Sequence, residues 1–133
     1  MSELDSVLFK EIVEHGLREF PNECCGLIAA TPEGRPVRVF PAANIDASPN
    51  TYRLDSKDQL RISQEIDDEG LTTWGFYHSH THSEAYPSQT DRDQAFYPQV
   101  RYAILSLEDR ERPVLRSFFI QKDEVVEEEL TIT

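Results

Sequence analysis

Apolar and polar residues are arranged so that helices and strands alternate along this chain. In the first twenty residues the apolar side chains recur at intervals of three and four, the spacing of one helix face. Pro21 cannot continue this helix, and Gly70 ends a second pattern of the same kind. The spacing predicts helices over residues 4–17 and 57–69, the second capped by Ser56, and a short helix that Ser88 caps.

Short apolar runs between turn residues predict six strands. They cover residues 25–30, 37–40, 72–77, 102–107, 114–120 and 125–132. The predicted order αββαβαβββ indicates a mixed sheet flanked by helices, which is an α/β or layered α+β fold. No repeat or long linker interrupts this order, so we expect residues 1–133 to form one domain.

The charge of the chain argues against nucleic acid and membrane surfaces as partners. Thirteen basic and 25 acidic residues give a net charge of −12 at pH 7, which repels phosphates and anionic lipids. The first twenty residues lack the features of a signal peptide, and no apolar run approaches the ~20 residues that span a bilayer. A cytoplasmic location is therefore expected. Because Cys24 and Cys25 are adjacent and are the only cysteines, we expect buried, reduced thiols.

Metal-binding residue types cluster at the end of the predicted strand 72–77. His78 and His80 alternate in extended chain, so both imidazoles face one side. Asp91 follows eleven residues after His80, in the first turn of the predicted third helix. Two imidazoles and one carboxylate are ligands of the type that zinc takes, and a fourth position left for water is typical of a catalytic site. Given the composition, about one shuffled sequence in 1,500 would contain His-x-His-x7-Ser-x2-Asp by chance.

This string resembles the JAMM motif of the MPN-type metalloproteases, in which an upstream glutamate before a Gly-containing strand completes the site. Glu23 stands at that place here, and the resemblance extends over nearly the whole chain. It implies an MPN/JAB-type domain, with a mixed, mainly antiparallel sheet flanked by helices, similar to cytidine deaminases. It also implies that His78, His80 and Asp91 bind one Zn²⁺ per chain. Glu23 would be the general base, and Ser88 would help to stabilise the oxyanion.

Other polar residues near the motif are expected to have structural or surface positions outside the metal site. His82 alternates with His78 and His80 and is thus a candidate third ligand, but the resemblance places it in a loop beside the site. His15 is expected on the exposed side of the first helix. Tyr86 either lines the cleft or packs against an aromatic neighbour. Glu84 and Asp93 are expected to be surface carboxylates. The acidic run 127–129 is expected to be a solvated sheet edge.

One subgroup of the family is particularly similar, the Mec-type hydrolases, which release cysteine from the C-terminus of the sulfur carrier CysO. Residues 52–56 and 83–88 and the length of the chain carry this likeness. It implies peptide-bond hydrolysis after the Gly-Gly tail of a CysO-like, ubiquitin-like sulfur carrier, in cysteine biosynthesis. Two alternatives stay open: another ubiquitin-like carrier that serves thiamine, molybdopterin or siderophore sulfur transfer, or a non-catalytic MPN scaffold. The sequence leaves the oligomeric state and the metal used in the cell open.

Overall fold

The computed structural model describes all 133 residues, and its main feature is a six-stranded sheet with a helix on each face. The helices are α1 (Ser6–Glu19), α2 (Ser56–Asp68) and α3 (Gln89–Asp93). The strands are β1 (Ser2–Leu4), β2 (Cys25–Ala30), β3 (Pro36–Ala42), β4 (Thr72–His80), β5 (Arg101–Ser106), β6 (Val114–Gln121), β7 (Glu124–Glu128) and β8 (Leu130–Ile132).

The large sheet has the strand order β3-β2-β4-β5-β6-β7. Only β4 and β5 run parallel, and the other neighbours are antiparallel. Strands β1 and β8 form a separate parallel pair. This confirms the layered sheet-and-helix fold predicted from the sequence. No helix of the chain combines the length and the apolar character needed to cross a membrane.

Each face of the sheet buries one helix against its own apolar cluster. Leu8 and Ile12 of α1 pack with Ile28 and with other residues on one face. Ile62 and Ile66 of α2 pack with the residues of the opposite face. Alternate residues of one strand therefore serve different clusters, as expected for strands buried on both faces.

A β-bulge in β4 decides which way the metal-binding motif faces. The register between β2 and β4 shifts so that Trp74 is the extra residue on β4. Trp74 consequently joins the cluster under α1, while Phe76, two residues later, joins the cluster under α2. Beyond the bulge the alternation is regular, so His78 and His80 follow Phe76 onto the α2 side.

The observed boundaries differ from the predicted ones where caps and short strands were missed. The first helix begins at Ser6, because the Asp5 side chain accepts a hydrogen bond from the Val7 N–H at 2.7 Å and caps it. Residues 2–4 instead form β1. Asp55, not Ser56, caps α2 in the same way. The strand predicted over residues 125–132 is two strands, because the chain leaves the sheet after β7 and pairs with β1 through β8.

The interior contains one residue that the sequence placed wrongly. His15 is buried, with 4% of its surface exposed, because its Nδ1 forms a 2.7 Å hydrogen bond with the Tyr77 hydroxyl of β4. Cys24 and Cys25 are buried and unpaired, which confirms the expectation of free thiols.

The acidic run lies at the sheet edge, as expected, but it is not simply solvated. Strand β7, which contains its first two residues, is an edge strand. Glu127 forms two hydrogen bonds with Arg116, and Glu128 forms two with Arg101. Ion pairs with arginines of β6 and β5 therefore compensate part of this charge.

Candidate metal site

Three buried side chains converge at the C-terminal end of β4. The Nε2 atoms of His78 and His80 lie 3.1 and 2.8 Å from Asp91 Oδ2, and 3.3 Å from each other. The three residues are 1%, 5% and 7% exposed. Each offers one ligand atom to the same point, so the cluster could hold a metal ion. The structure thus brings together all three residues that the motif predicted as ligands.

The first turn of α3 presents Asp91 to the histidines. The Ser88 hydroxyl accepts a hydrogen bond from the Asp91 N–H, and Asp91 Oδ2 accepts one from the Ser88 N–H, both at 3.0 Å. This reciprocal capping box stabilises a helix of only five residues. It also fixes the carboxylate, because the oxygen that accepts the bond is the one that faces the imidazoles. The predicted N-cap at Ser88 is confirmed.

A backbone carbonyl sets the tautomer of His80. Its Nδ1 lies 2.8 Å from the carbonyl oxygen of Glu84, which can only accept a hydrogen bond. Nδ1 therefore carries a proton, and Nε2, which faces Asp91 Oδ2, is the ring atom that would bind a metal. Histidine ligands are commonly oriented in this way.

An aromatic ring holds His78 in place. Tyr52 is buried and stacks on the imidazole, with 4.2 Å between ring centroids. Burial lowers the pKa of His78, although the Asp91 carboxylate opposes this effect. This favours the neutral imidazole, which is the form that can bind a metal. Sequence reasoning missed Tyr52 as a site residue, since nothing in the spacing connects it with a histidine 26 positions later.

The donor atoms suit a divalent metal ion in both charge and spacing. Burial alone would raise the pKa of Asp91, but the attraction of His78 and hydrogen bonds with both histidines lower it well below its usual range. An ionised carboxylate therefore faces the two histidine rings, and against the effect of burial its hydrogen bond raises the pKa of His80. Ligands bound tetrahedrally at about 2.0–2.1 Å lie about 3.3 Å apart, and the observed separations are 2.8, 3.1 and 3.3 Å.

Glu23 occupies the position across from His80. In the antiparallel register Cys25 pairs with His78, so Glu23, two residues earlier, lies opposite His80 and faces the same side. The backbone holds it there: the Glu23 N–H donates to Ser48, and the Glu23 carbonyl accepts from the Asn44 side chain.

The Glu23 carboxyl group is buried and incompletely paired. It is 4% exposed, and its Oε1 atom has no hydrogen-bond partner in the protein. Burial raises its pKa to about 8, with a smaller opposing effect of His80. A carboxyl group that titrates near neutral pH can both accept and return a proton.

The remaining candidate residues lie around this cluster without joining it. The Ser88 hydroxyl only accepts within the protein, so its proton is free to be donated elsewhere. His82 is exposed and bonds Thr81 instead of the cluster. Tyr86 packs edge-on against Phe118, which confirms the interpretation that it packs against an aromatic neighbour. Glu84 and Asp93 are not part of the cluster: Glu84 faces Arg116, and Asp93 accepts from Gln89.

A cavity adjoins the cluster on the Tyr52 side. Its volume is about 350 Å³. Tyr52 therefore has two roles, since it stacks on His78 and also lines this cavity. The other apolar lining residues are Leu54, Phe76, Phe96, Tyr97 and Tyr102.

Comparison with known protein families gives a match over most of the chain. Residues 5–121 match the model of the prokaryotic homologues of the JAB domain. The chain is 41% identical over 127 residues to the CysO-cysteine peptidase of Mycobacterium tuberculosis, which covers 94% of this chain and 86% of that protein. It is 38% identical over 92 residues to the desampylase of Haloferax volcanii, covering 68% and 66%. It is 38% identical over 98 residues to a protein of Thermus thermophilus named a "probable TtuB-protein conjugate cleaving protease", covering 73% and 64%.

Solved structures share the whole fold. A protein from Desulfitobacterium hafniense, solved in solution, is 35% identical with a TM-score of 0.92, covering 100% of this chain and 93% of that one. A JAB1/MPN domain protein from Archaeoglobus fulgidus is 16% identical with a TM-score of 0.67, covering 100% and 99%. The MPN/JAB-type fold expected from the motif is confirmed.

Proposed function

Because this chain belongs to the family of prokaryotic homologues of the JAB domain, we propose that it is a zinc metallopeptidase that releases cysteine from the C-terminus of a CysO-like, ubiquitin-like sulfur carrier. The scissile bond follows the Gly-Gly tail of the carrier. The observation that carries this proposal is the buried cluster of His78, His80 and Asp91 with the partly unpaired Glu23 carboxyl group beside it. The identity of 41% to a CysO-cysteine peptidase supports the choice of carrier.

In this proposal His78, His80 and Asp91 hold one Zn²⁺. Zinc supplies two properties when it is bound: it lowers the pKa of a coordinated water to about 7, and it polarises a carbonyl oxygen. The protein contributes the rest of the site. Tyr52 and the Glu84 carbonyl fix the two imidazoles, and the capping box fixes Asp91.

Glu23 transfers the proton. Hydrolysis adds a water oxygen to the glycine carbonyl carbon, breaks the C–N bond and leaves a proton on the departing amine. The Glu23 carboxylate accepts that proton from the attacking water and then donates it to the amine nitrogen. Its unpaired Oε1 and its raised pKa, about 8, suit both halves of this transfer.

Ser88 stabilises the negative charge that develops on the carbonyl oxygen. Its oxygen is occupied by the Asp91 N–H, but its proton is free, so capping and oxyanion stabilisation are compatible. The serine thus links the position of a metal ligand to the position of a charge-stabilising donor.

A second candidate function is the cleavage of protein conjugates of a ubiquitin-like carrier. The identity to the Thermus thermophilus protein, whose name states that activity, favours it. The same metal cluster and Glu23 would serve both reactions. Burying a carboxyl group without a full set of hydrogen bonds costs free energy, and a non-catalytic scaffold has no need of such a group.

Mass spectrometry of a carrier that ends in Gly-Gly-Cys tests the proposal. Incubation with the protein should remove one cysteine residue. A chelator should abolish the loss, and added zinc should restore it. Intact carrier after incubation with the zinc-loaded protein would refute cleavage of this substrate, and a lysine conjugate of the same carrier would then test the second candidate.

The expectations of a single domain and of a cytoplasmic location belong to the same proposal, and limited proteolysis and cell fractionation test them.

A further inference from the structure

Arg110 lies at a fixed position in the turn between β5 and β6. The Asp109 side chain accepts a hydrogen bond from the Glu111 N–H at 3.1 Å, and the Asp109 carbonyl accepts one from the Arg112 N–H at 3.0 Å. This is the geometry of a β-turn that begins with an aspartate. Arg110 is the second residue of the turn, so its backbone is ordered although its side chain is exposed.

The Arg110 guanidinium has no partner with a negative charge. It lies 4.4 Å from the centre of the Phe20 ring, a cation–π contact that leaves its N–H donors free. It takes part in none of the ion pairs or side-chain hydrogen bonds of the chain, whereas Arg116 and Arg101 pair with glutamates. Arg92, which follows the ligand Asp91, already donates to the Pro87 carbonyl and to Gln89. Arg110 is therefore a free cation in a protein with a net charge of −12.

Contacts through Phe20 connect Arg110 with the Glu23 side of the metal cluster. Phe20 contacts the His82 ring, with 5.8 Å between centroids, and precedes Glu23 by three residues. Thr81, next to His82, donates to the Pro49 carbonyl, while the neighbouring Ser48 carbonyl accepts from the Glu23 N–H. Phe20, His82 and Glu23 thus border the same end of the site. Tyr52 and the cavity border the other end, next to His78.

The direction of the substrate follows from the proton transfer. Glu23 returns its proton to the leaving amine, so the released residue lies at the Glu23 end and the Gly-Gly tail at the opposite end. In a single released residue the carboxylate carbon is about 2.5 Å from the amine nitrogen, because only the Cα atom lies between them. A full negative charge therefore arrives close to Glu23, where a nearby cation stabilises it.

We propose that Arg110 binds the α-carboxylate of the released residue and thereby selects substrates that carry a single amino acid after Gly-Gly. The proposal rests on the proposed function and narrows its substrate class. Guanidinium groups bind carboxylates through two parallel hydrogen bonds. An isopeptide bond to a lysine side chain places no carboxylate at this distance. Arg110 thus favours release of a C-terminal residue over cleavage of protein conjugates.

The experiment compares two forms of one carrier, which differ only in whether the C-terminal cysteine is a free acid or an amide. We expect the zinc-loaded wild-type protein to hydrolyse the acid with a kcat/KM about ten-fold above that for the amide, the effect of one charge-assisted interaction. The variant Arg110→Gln should lose about ten-fold on the acid and leave the amide unchanged. Arg110→Lys should recover part of the preference.

Arg112→Gln is the matched control. Arg112 lies in the same exposed turn and forms no ion pair, but the cation–π contact with Phe20 is made by Arg110 and not by Arg112. It should behave as the wild type does on both substrates. Equal hydrolysis of acid and amide by the wild type, or an equal loss on both in Arg110→Gln, would overturn the assignment of Arg110 while leaving the proposed function intact. Hydrolysis of neither form would refute the proposed function, and the assignment with it.

Discussion

Replacement of Ser88 by alanine separates the two roles that this serine has in the account. The variant removes the hydroxyl that accepts from the Asp91 N–H at 3.0 Å, and it removes the proton that is free for the oxyanion. Loss of an N-cap serine costs about 1 kcal/mol. For 133 residues at about 2.1 cal/mol/K per residue, the unfolding entropy is about 0.28 kcal/mol/K, so Tm should fall by about 3.5 °C.

The catalytic effect of the same variant should be far larger than its effect on stability. Removal of one donor to an oxyanion lowers kcat by about 10²–10³-fold. The assay pairs a thermal melt with the hydrolysis of a carrier ending in Gly-Gly-Cys, and Ser88→Thr is the control, because threonine keeps both the acceptor and the proton. If Ser88→Ala melts about 3.5 °C lower but retains its kcat, the oxyanion role is wrong. If its Tm is unchanged, the capping argument is wrong.

Two further predictions concern the buried pair between α1 and β4. Tyr77→Phe leaves the buried Nδ1 of His15 without its 2.7 Å hydrogen-bond partner. The free energy of unfolding, measured by urea denaturation, should therefore fall by about 1–3 kcal/mol. An unchanged value would show that this hydrogen bond contributes nothing to stability. Burial, assisted by Arg18, lowers the pKa of His15 below the ordinary 6.5, so the unfolded chain takes up a proton at a higher pH than the folded one. This contribution to stability is complete above about pH 6.5 and is lost as the pH falls below that value. Between pH 7.5 and 5.5 the wild type should therefore lose more free energy of unfolding than His15→Gln does. Equal losses in the two proteins would contradict the assignment.

The site was predictable from the sequence to the extent that it depends on local spacing. His78 and His80 share a strand face, and Asp91 lies in a capped first turn, so short-range rules place all three. Glu23 could not be placed in this way, because its position depends on the pairing of β2 with β4. Only the resemblance to a known motif indicated it. Tyr52 depends on the path of the loop before α2, for which the spacing contains no signal.

The error at His15 has a different origin, since the signal was present. Leu8, Ile12 and His15 are separated by four and three residues, so the helical period places all three on one face. The polar side chain suggested an exposed position, but a buried histidine is stable where a hydroxyl from another element pairs with it. That partner, Tyr77, lies 62 residues away. The division of the last predicted strand into β7 and β8 could not be predicted from the local sequence either, because β8 forms by pairing with β1 at the other end of the chain.

The most direct test of the central claim is to measure bound metal and hydrolysis together in Glu23→Gln. Glutamine keeps the shape of the side chain, but it cannot accept and return a proton, and it leaves His78, His80 and Asp91 untouched. We predict the same zinc content as in the wild type, one ion per chain, and a loss of carrier hydrolysis of at least about 100-fold. Turnover at the wild-type rate with zinc bound would contradict the claim that a buried carboxyl group beside the metal cluster carries out the proton transfer.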